Sequence, residues 1–373
     1  MNETAAKGHN RRPTGRDIDR GKALGAYLGA AIGDAMGGPV EGSHRLRIKR
    51  TVGTVTGLLP YEEHYTPLGR RREYMRSHET GAVTDDTFIR ADMTRFFLEN
   101  PGERTPERLA EWCNAKADFS NWWTPVADHV KRVGRGEMPA AEAGRTFMQG
   151  GGNGWWTPVG ILHAGNWAGA EAEIRSLSRI WKRGLEQDLL CATQTGLATA
   201  MTPGATFADV MEGILKPCGP LARTLIGRGF AVGLAAADME GLAEAVYDRM
   251  LFASAGPDDL GDEPTDRVDA PLPPSVPPTG DTDDLYLGLY FAEQIPIACA
   301  AFAFGRGDPE RTIPAAVNIG RDCDSFATTA GSWCGALWGE AGLPHDWVRT
   351  VADANRDVVD IRGLAEALVD GAS

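Results

Sequence analysis

The sequence predicts a predominantly helical protein, and three observations carry this expectation. Few stretches alternate apolar and polar residues with period two, while several windows repeat apolar residues at helical spacing. Two segments near opposite ends of the chain place small residues at strict i+4 intervals. The helical pattern also resumes on both sides of a Pro/Asp/Gly-rich stretch, 255–284, which therefore reads as a loop inside one domain.

Residues 1–20 are polar and lack an apolar core, which predicts a disordered tail rather than a signal peptide. Residues 21–373 are expected to form a single domain. In 22–38, KALGAYLGAAIGDAMGG, residues Gly25, Gly29, Gly33 and Gly37 line one helix face. Each glycine costs a helix roughly 1 kcal/mol relative to alanine. Close approach of a second helix is the expected compensation. TVGTVTGL, 51–58, is a candidate for a short strand or an irregular loop. Residues 84–100 form an apolar-periodic helix with Phe88, Ile89, Met93, Phe96 and Phe97, stopped by Asn100-Pro101-Gly102. Further helices are predicted over 170–184, 188–202 and 231–250, and over 285–305 with a kink or break at Pro296. Ala327, Gly331, Gly335 and Gly339 repeat the small-residue stripe, so the two striped helices are predicted to sit together.

The net charge of −13, from 38 basic and 51 acidic residues, disfavours nucleic acid or an anionic membrane as partner. The longest apolar run, Ile297 to Phe304, is too short to cross a bilayer. No two of the six cysteines have C-x-x-C spacing, which argues against a zinc ribbon or a thioredoxin-like motif. Reduced thiols and a cytoplasmic location are expected.

Three clusters could carry chemistry. GDAMGGPVEG holds Asp34 and Glu41, TDDT spans Thr84 to Thr87, and RDCDS spans Arg321 to Ser325. Four closely grouped aspartates with hydroxyls, and no companion histidine or cysteine pattern, form an all-oxygen donor set. Such a set suits Mg2+, Mn2+ or Ca2+, and two such ions could clamp a hydroxylated substrate. Taken alone, Thr84 or Asp85 also reads as a helix cap, as does Asp324 or Ser325 before the helix over 326–339, and Glu41 reads as a surface carboxylate. Asp85-Asp86 is not followed by a D-D-x-x-D pattern, the next acid being Asp92, so a terpenoid-synthase-like diphosphate enzyme is remote.

The joint text GAYLGAAIGDAMGGPVEG, TDDT, GGNGWWTPVGILHAG and NIGRDCDSFATTAGSWCGALWG resembles the ADP-ribosylglycohydrolase family, in order and separation, over about residues 21–340. That resemblance implies an all-α, compact, single-domain fold around a binuclear Mg2+ or Mn2+ centre. It implies Thr84, Asp85 and Asp86 as metal ligands from one side, and Asp322, Asp324 and Ser325 from the other. It implies Glu41 and Asp324 as catalytic residues, with Glu41 a metal-proximal acid/base that activates water against the C1″ bond of the ribose. Asp34 would support by hydrogen bonding. Gly152, Asn153 and Gly154 would bind ribose or phosphates.

Some letters depart from the family pattern. Ser325 replaces a threonine, Arg321 and Cys323 replace Gly and Thr, and Gln194 stands where a histidine is common. Trp155 and Trp156 replace small residues, and suggest a face that could stack a flat heterocycle. Arg321 is expected either to touch an anionic ligand or to pair with a nearby aspartate. The substrate is thus expected to be a small nucleotide- or nucleoside-like N-riboside, with de-ADP-ribosylation of a macromolecule as the alternative. A non-catalytic ADP-ribose-binding module is the third reading.

Overall fold

In a computed structural model, residues 18–62, 64–65, 78–146, 152–251 and 291–371 are described. They are helices and connecting loops, and among them no strand forms; the one isolated bridge pairs His44 with Gly320. The all-α expectation holds.

The chain begins with α1 (Arg20–Gly37), capped by Asp19, whose carboxylate accepts the Lys22 amide at 3.0 Å. A short helix α2 (Arg45–Thr51) follows, then α3 (Asp85–Glu99), α4 (Pro106–Lys116) and α5 (Thr124–Gly134). Next come α6 (Thr157–Leu162), α7 (Trp167–Leu177), α8 (Gly184–Ala200), α9 (Phe207–Leu215), α10 (Pro220–Ala235) and α11 (Met239–Arg249). The last five are α12 (Phe291–Gly305), α13 (Pro309–Asn318), α14 (Cys323–Trp338), α15 (His345–Asn355) and α16 (Ile361–Gly371). Proline in the first turn of α4, α10 and α13 sets φ where no backbone donor is needed.

Every residue of α1 from Ala23 to Gly37 is buried, and so is α14 from Cys323 to Leu337. These two helices form the centre of the molecule. Their small-residue stripes face each other, as the i+4 pattern predicts. A Cβ on Gly29 would overlap the Gly331 carbonyl, and one on Gly335 would overlap the Gly25 carbonyl. A Cβ on Gly37 would strike the backbone of Asp324 itself. Lys22 closes the far end, its ammonium donating to the Ala200, Ala336 and Leu337 carbonyls at 2.8, 2.9 and 3.2 Å. Those carbonyls are orphan acceptors at the C-termini of α8 and α14.

Several local expectations change. Residues 231–250 are not one helix: Ala236 is extended, and the Asp238 side chain caps a new helix by accepting from the Gly241 amide at 2.8 Å. Pro296 does not break α12, which runs through it. There Gly229 and Gly233 of α10 lie against the Pro296 and Ala300 carbonyls, a second backbone-close helix pair. Of the 51–58 segment, Thr51 ends α2 and the rest is loop; Val55 exchanges backbone hydrogen bonds with the Asn318 side-chain amide at 3.0 and 2.8 Å instead of with a strand. The 255–284 stretch and all but the last three residues of the predicted tail lie outside the described residues. All six cysteines are free and buried. No helix among the described residues is long and apolar enough to cross a membrane.

Candidate metal centre

α3 starts at the TDDT motif because Thr84, in extended backbone, caps it, accepting the Asp86 amide at 3.4 Å. The capping reading is therefore correct, but it is not the whole role. Asp34, fully buried on α1, accepts four hydrogen bonds: Thr84 N at 3.0 Å, Thr84 Oγ1 at 2.6 Å, Thr87 N at 3.0 Å, and the Thr87 hydroxyl. A hydroxyl can face a cation only through its oxygen. Asp34 accepts the Thr84 proton, so the hydroxyl oxygen keeps one lone pair beyond the one that caps the Asp86 amide. Thr84 Oγ1 lies 3.2 Å from Asp324 Oδ2.

The opposite wall is the start of α14. Arg321, a non-glycine residue with φ +65°, turns the chain into it. That conformation costs roughly 1–2 kcal/mol. It is held by two backbone bonds to the Glu41 segment, Gly42 N to Arg321 O at 2.6 Å and Arg321 N to Ser43 O at 2.7 Å. The same two bonds bring Glu41 beside Asp322. Carboxylate oxygens of Glu41, Asp322 and Asp324 lie within 4.8 Å of one another. Ser325 Oγ donates to Asp86 Oδ2 at 2.8 Å, joining the two walls directly.

Like charges crowd here. Burial, then repulsion from Glu41, Asp322, Asp86 and Asp34, pushes Asp324 well above the usual carboxylate range. Asp85 is likewise raised well above it, by desolvation, then Asp86, Glu41, Asp34 and Asp322. Burial, with Asp34 and Asp322, lifts Asp86 to about 7. Burial is also the main cause of the upward shifts of Asp34 and Asp322. Two arginines stand near. Arg90, fully buried, donates to Thr87 Oγ1 at 2.8 Å, lies 5.0 Å over the Tyr27 ring, and draws Asp34 and Asp86 part of the way back down. Arg321 is buried against the Glu293 carboxylate of α12, a glutamate in place of the aspartate partner or substrate contact expected. Asp34, Glu41, Asp85, Asp86, Asp322 and Asp324 thus outnumber their cationic compensation among the described residues. An all-oxygen, electronegative, partly buried donor set of this kind fits hard divalent cations.

The Gly-Asn-Gly loop reaches the same place. Gly152 has φ +96°, and a Cβ on Gly154 would overlap Thr328 of α14, so the loop lies directly on that helix. Asn153 is 1% exposed, and neither polar atom of its amide has a hydrogen-bond partner among the described residues. Trp155 and Trp156 are 3% and 1% exposed and meet Trp181 edge-on at 5.9 and 6.1 Å. The structure places these two rings in the core behind the carboxylates, leaving little surface for a ligand to stack on. Trp155 Nε1 donates to Asp86 Oδ1 at 2.9 Å. Gln194 is buried, its amide nitrogen donating to Thr193 Oγ1 at 2.9 Å.

Three residues of this neighbourhood escape a motif reading. Gln294 donates to Asp322 Oδ2, Glu293 neutralises Arg321, and Arg90 sits beneath Asp34 and Thr87. Their signal in the sequence is faint: a Glu-Gln pair opening the apolar run of α12, and one arginine between Ile89 and Ala91.

Comparison with known proteins agrees with this architecture. A solved structure described as an ADP-ribosylglycohydrolase-related protein complex superposes with TM-score 0.60 at 20% identity, over 95% of this chain and 99% of that one. It shares the fold. ADP-ribosylarginine hydrolase Tri1 of Pseudomonas putida (strain GB-1) is 44% identical over 57 residues, 15% of this chain and only 14% of that relative's length. The ADP-ribosylglycohydrolase family profile matches residues 16–373, and on that near-complete match the chain belongs to the ADP-ribosylglycohydrolase family.

Proposed function

We propose that this chain is a divalent-cation-dependent hydrolase of the N-glycosidic bond to ribose, acting on an ADP-ribosyl or nucleotide-like small molecule. What carries the reading is the meeting of TDDT at the start of α3 with RDCDS at the start of α14 and with Glu41, Thr84 Oγ1 lying 3.2 Å from Asp324 and Ser325 Oγ 2.8 Å from Asp86. Thr84, Asp85, Asp86, Asp322, Asp324 and Ser325 would hold two ions, Mg2+ or Mn2+. When bound, such ions supply Lewis-acid polarisation of vicinal hydroxyls and of water. Six carboxylates make two doubly charged ions a better balance than one.

The chain's own groups do the rest. Glu41, half-buried at the edge of the carboxylate cluster, takes the proton of the attacking water, and Asp324 fixes the ribose side of the site. The water oxygen bonds to C1″, the C1″–N bond breaks, and the proton leaves with the nitrogen. The unpartnered Asn153 amide offers a donor and an acceptor to ribose or phosphate oxygens.

The test is a panel of ADP-ribosyl-arginine and free N-ribosides incubated with Mn2+, each with a chelator control. Cleavage of a small-molecule member, abolished by chelator, is expected. Binding of ADP-ribose with no cleavage anywhere would leave a binding module and sink the enzymatic reading.

A pH prediction follows from the raised carboxylates. A carboxylate whose folded pKa is raised stabilises the fold below its unfolded pKa and loses that contribution as pH rises through the folded value. For Asp86 that window runs from the ordinary aspartate value of 3.8 up to about 7. Cations compete with those protons, so the rise in Tm caused by saturating Mg2+ should be larger at about pH 8 than at about pH 5.5. Paired thermal melts check this; an increment independent of pH would contradict it.

A further inference from the structure

We propose that Trp155 is a positioning residue of the metal centre, its indole N–H locking the Asp86 carboxylate in the orientation that receives a cation. The proposal rests on reading the site as a divalent-cation centre, and assigns this tryptophan a role other than stacking on substrate.

The geometry is specific. Asp86 is gripped at both oxygens, Oδ1 by Trp155 Nε1 at 2.9 Å and Oδ2 by Ser325 Oγ at 2.8 Å. Two donors on opposite oxygens stop the carboxylate from rotating, while each oxygen keeps a lone pair for a cation. The chemistry of the donor matters. An arginine or lysine there would orient Asp86 but also neutralise it and repel the ion. An indole N–H is a neutral, donor-only group on a rigid ring, so it orients without competing.

The chain is built to hold the ring still. Trp155 is 3% exposed and lies edge-on to Trp181 at 5.9 Å. Gly152, at φ +96°, lets the loop fold over the indole, where a Cβ would sit 3.1 Å from the ring. The other indoles with described hydrogen bonds go elsewhere: Trp112 to Glu99, Trp122 to Asp92, Trp333 to the Thr193 carbonyl, and Trp338 to the Gly307 carbonyl. Trp155 is the one that reaches a carboxylate of the centre.

The decisive variant is Trp155→Phe, which keeps an aromatic ring and removes the N–H. Mn2+ binding to the full chain is read by EPR of the free ion. The wild type should bind two equivalents. In the variant one of them should weaken by roughly tenfold to a hundredfold, the range for lost partners of metal ligands, while the other is unchanged. A purely structural role would lower Tm and leave both affinities in place. Should the variant fail to fold by circular dichroism, the wild type labelled with 15N-tryptophan decides: at least one indole N–H must shift on Mg2+ titration and broaden early with Mn2+. Indoles that ignore Mg2+, or a folded variant with both affinities intact, would overturn the proposal alone. A wild-type chain that binds no Mn2+ would overturn the metal reading and this proposal with it.

Discussion

Asp324→Asn should abolish hydrolysis and, at the same time, make the metal-free protein more stable. Both effects follow from one placement. Asp324 is 2% exposed, within 4.8 Å of Glu41 and Asp322 by its carboxylate oxygens, and repelled in addition by Asp86 and Asp34. Removing its charge removes a ligand and a participant in the reaction. A loss of roughly 10³-fold or more in kcat is expected, about 4 kcal/mol of barrier at a tenfold loss per about 1.4 kcal/mol. Removing the charge also relieves the repulsion that holds the Asp324 proton on. The asparagine oxygen can still accept the Ser325 amide at 3.0 Å, and its NH2 can donate to the Thr84 hydroxyl oxygen at 3.2 Å, whose own proton goes to Asp34. Thermal melts with chelator at about pH 8 should therefore show a higher Tm for the variant than for wild type, and added Mg2+ should raise it less. Activity retained at wild-type level would remove Asp324 from the centre. Activity lost together with a lower metal-free Tm would point to misfolding instead.

The second large effect is at the helix interface. Alanine in place of glycine normally stabilises a helix by roughly 1 kcal/mol. At Gly335 the sign should reverse, because the new methyl would lie on the Gly25 carbonyl and near the Ala26 amide, which are backbone and cannot turn aside. Overpacking of this kind costs about 1–3 kcal/mol and more where nothing yields, so Gly335→Ala should lose about 3 kcal/mol in urea unfolding. Gly227→Ala, on the exposed side of α10 with open space around it, should gain about 0.5–1 kcal/mol. Equal outcomes for the two glycines would show that the α1–α14 approach is looser than described. Because α1 carries Asp34 and α14 carries Asp324, Gly335→Ala should also weaken Mn2+ binding without touching a ligand.

These interfaces explain why the heart of the fold was legible. Four glycines at i+4 in one helix make no sense in isolation, and a matching stripe elsewhere supplies the partner. The two halves of the acidic cluster, Asp86 and Asp322, lie 236 residues apart in sequence, yet each announces itself by aspartates that an apolar helix would otherwise reject. What stayed hidden depends on partners far along the chain. Trp155 in a glycine-rich loop suggests a ligand platform until its N–H is seen to end on Asp86, 69 residues earlier. Arg321 suggests an anion contact until Glu293 is found beside it. The division of 231–250 into two helices turns on Asp238 acting as a cap, and an aspartate in a helical window looks the same whether it caps or merely faces solvent. Periodicity describes how a residue sits on its own helix; it is silent on what meets that helix.

The contact between α1 and α14 also orders events in time. Gly37 leaves the ribosome 287 residues before Asp324, which at ~5–20 residues per second is a wait of roughly 15 to 60 s. During that interval α1 presents a smooth glycine face with nothing to close on it, and TDDT holds only its own half of the carboxylates. Contacts of such long sequence separation form late. The nascent chain should therefore stay inert toward cations until RDCDS has emerged, and gain its affinity in one step as α14 closes on α1.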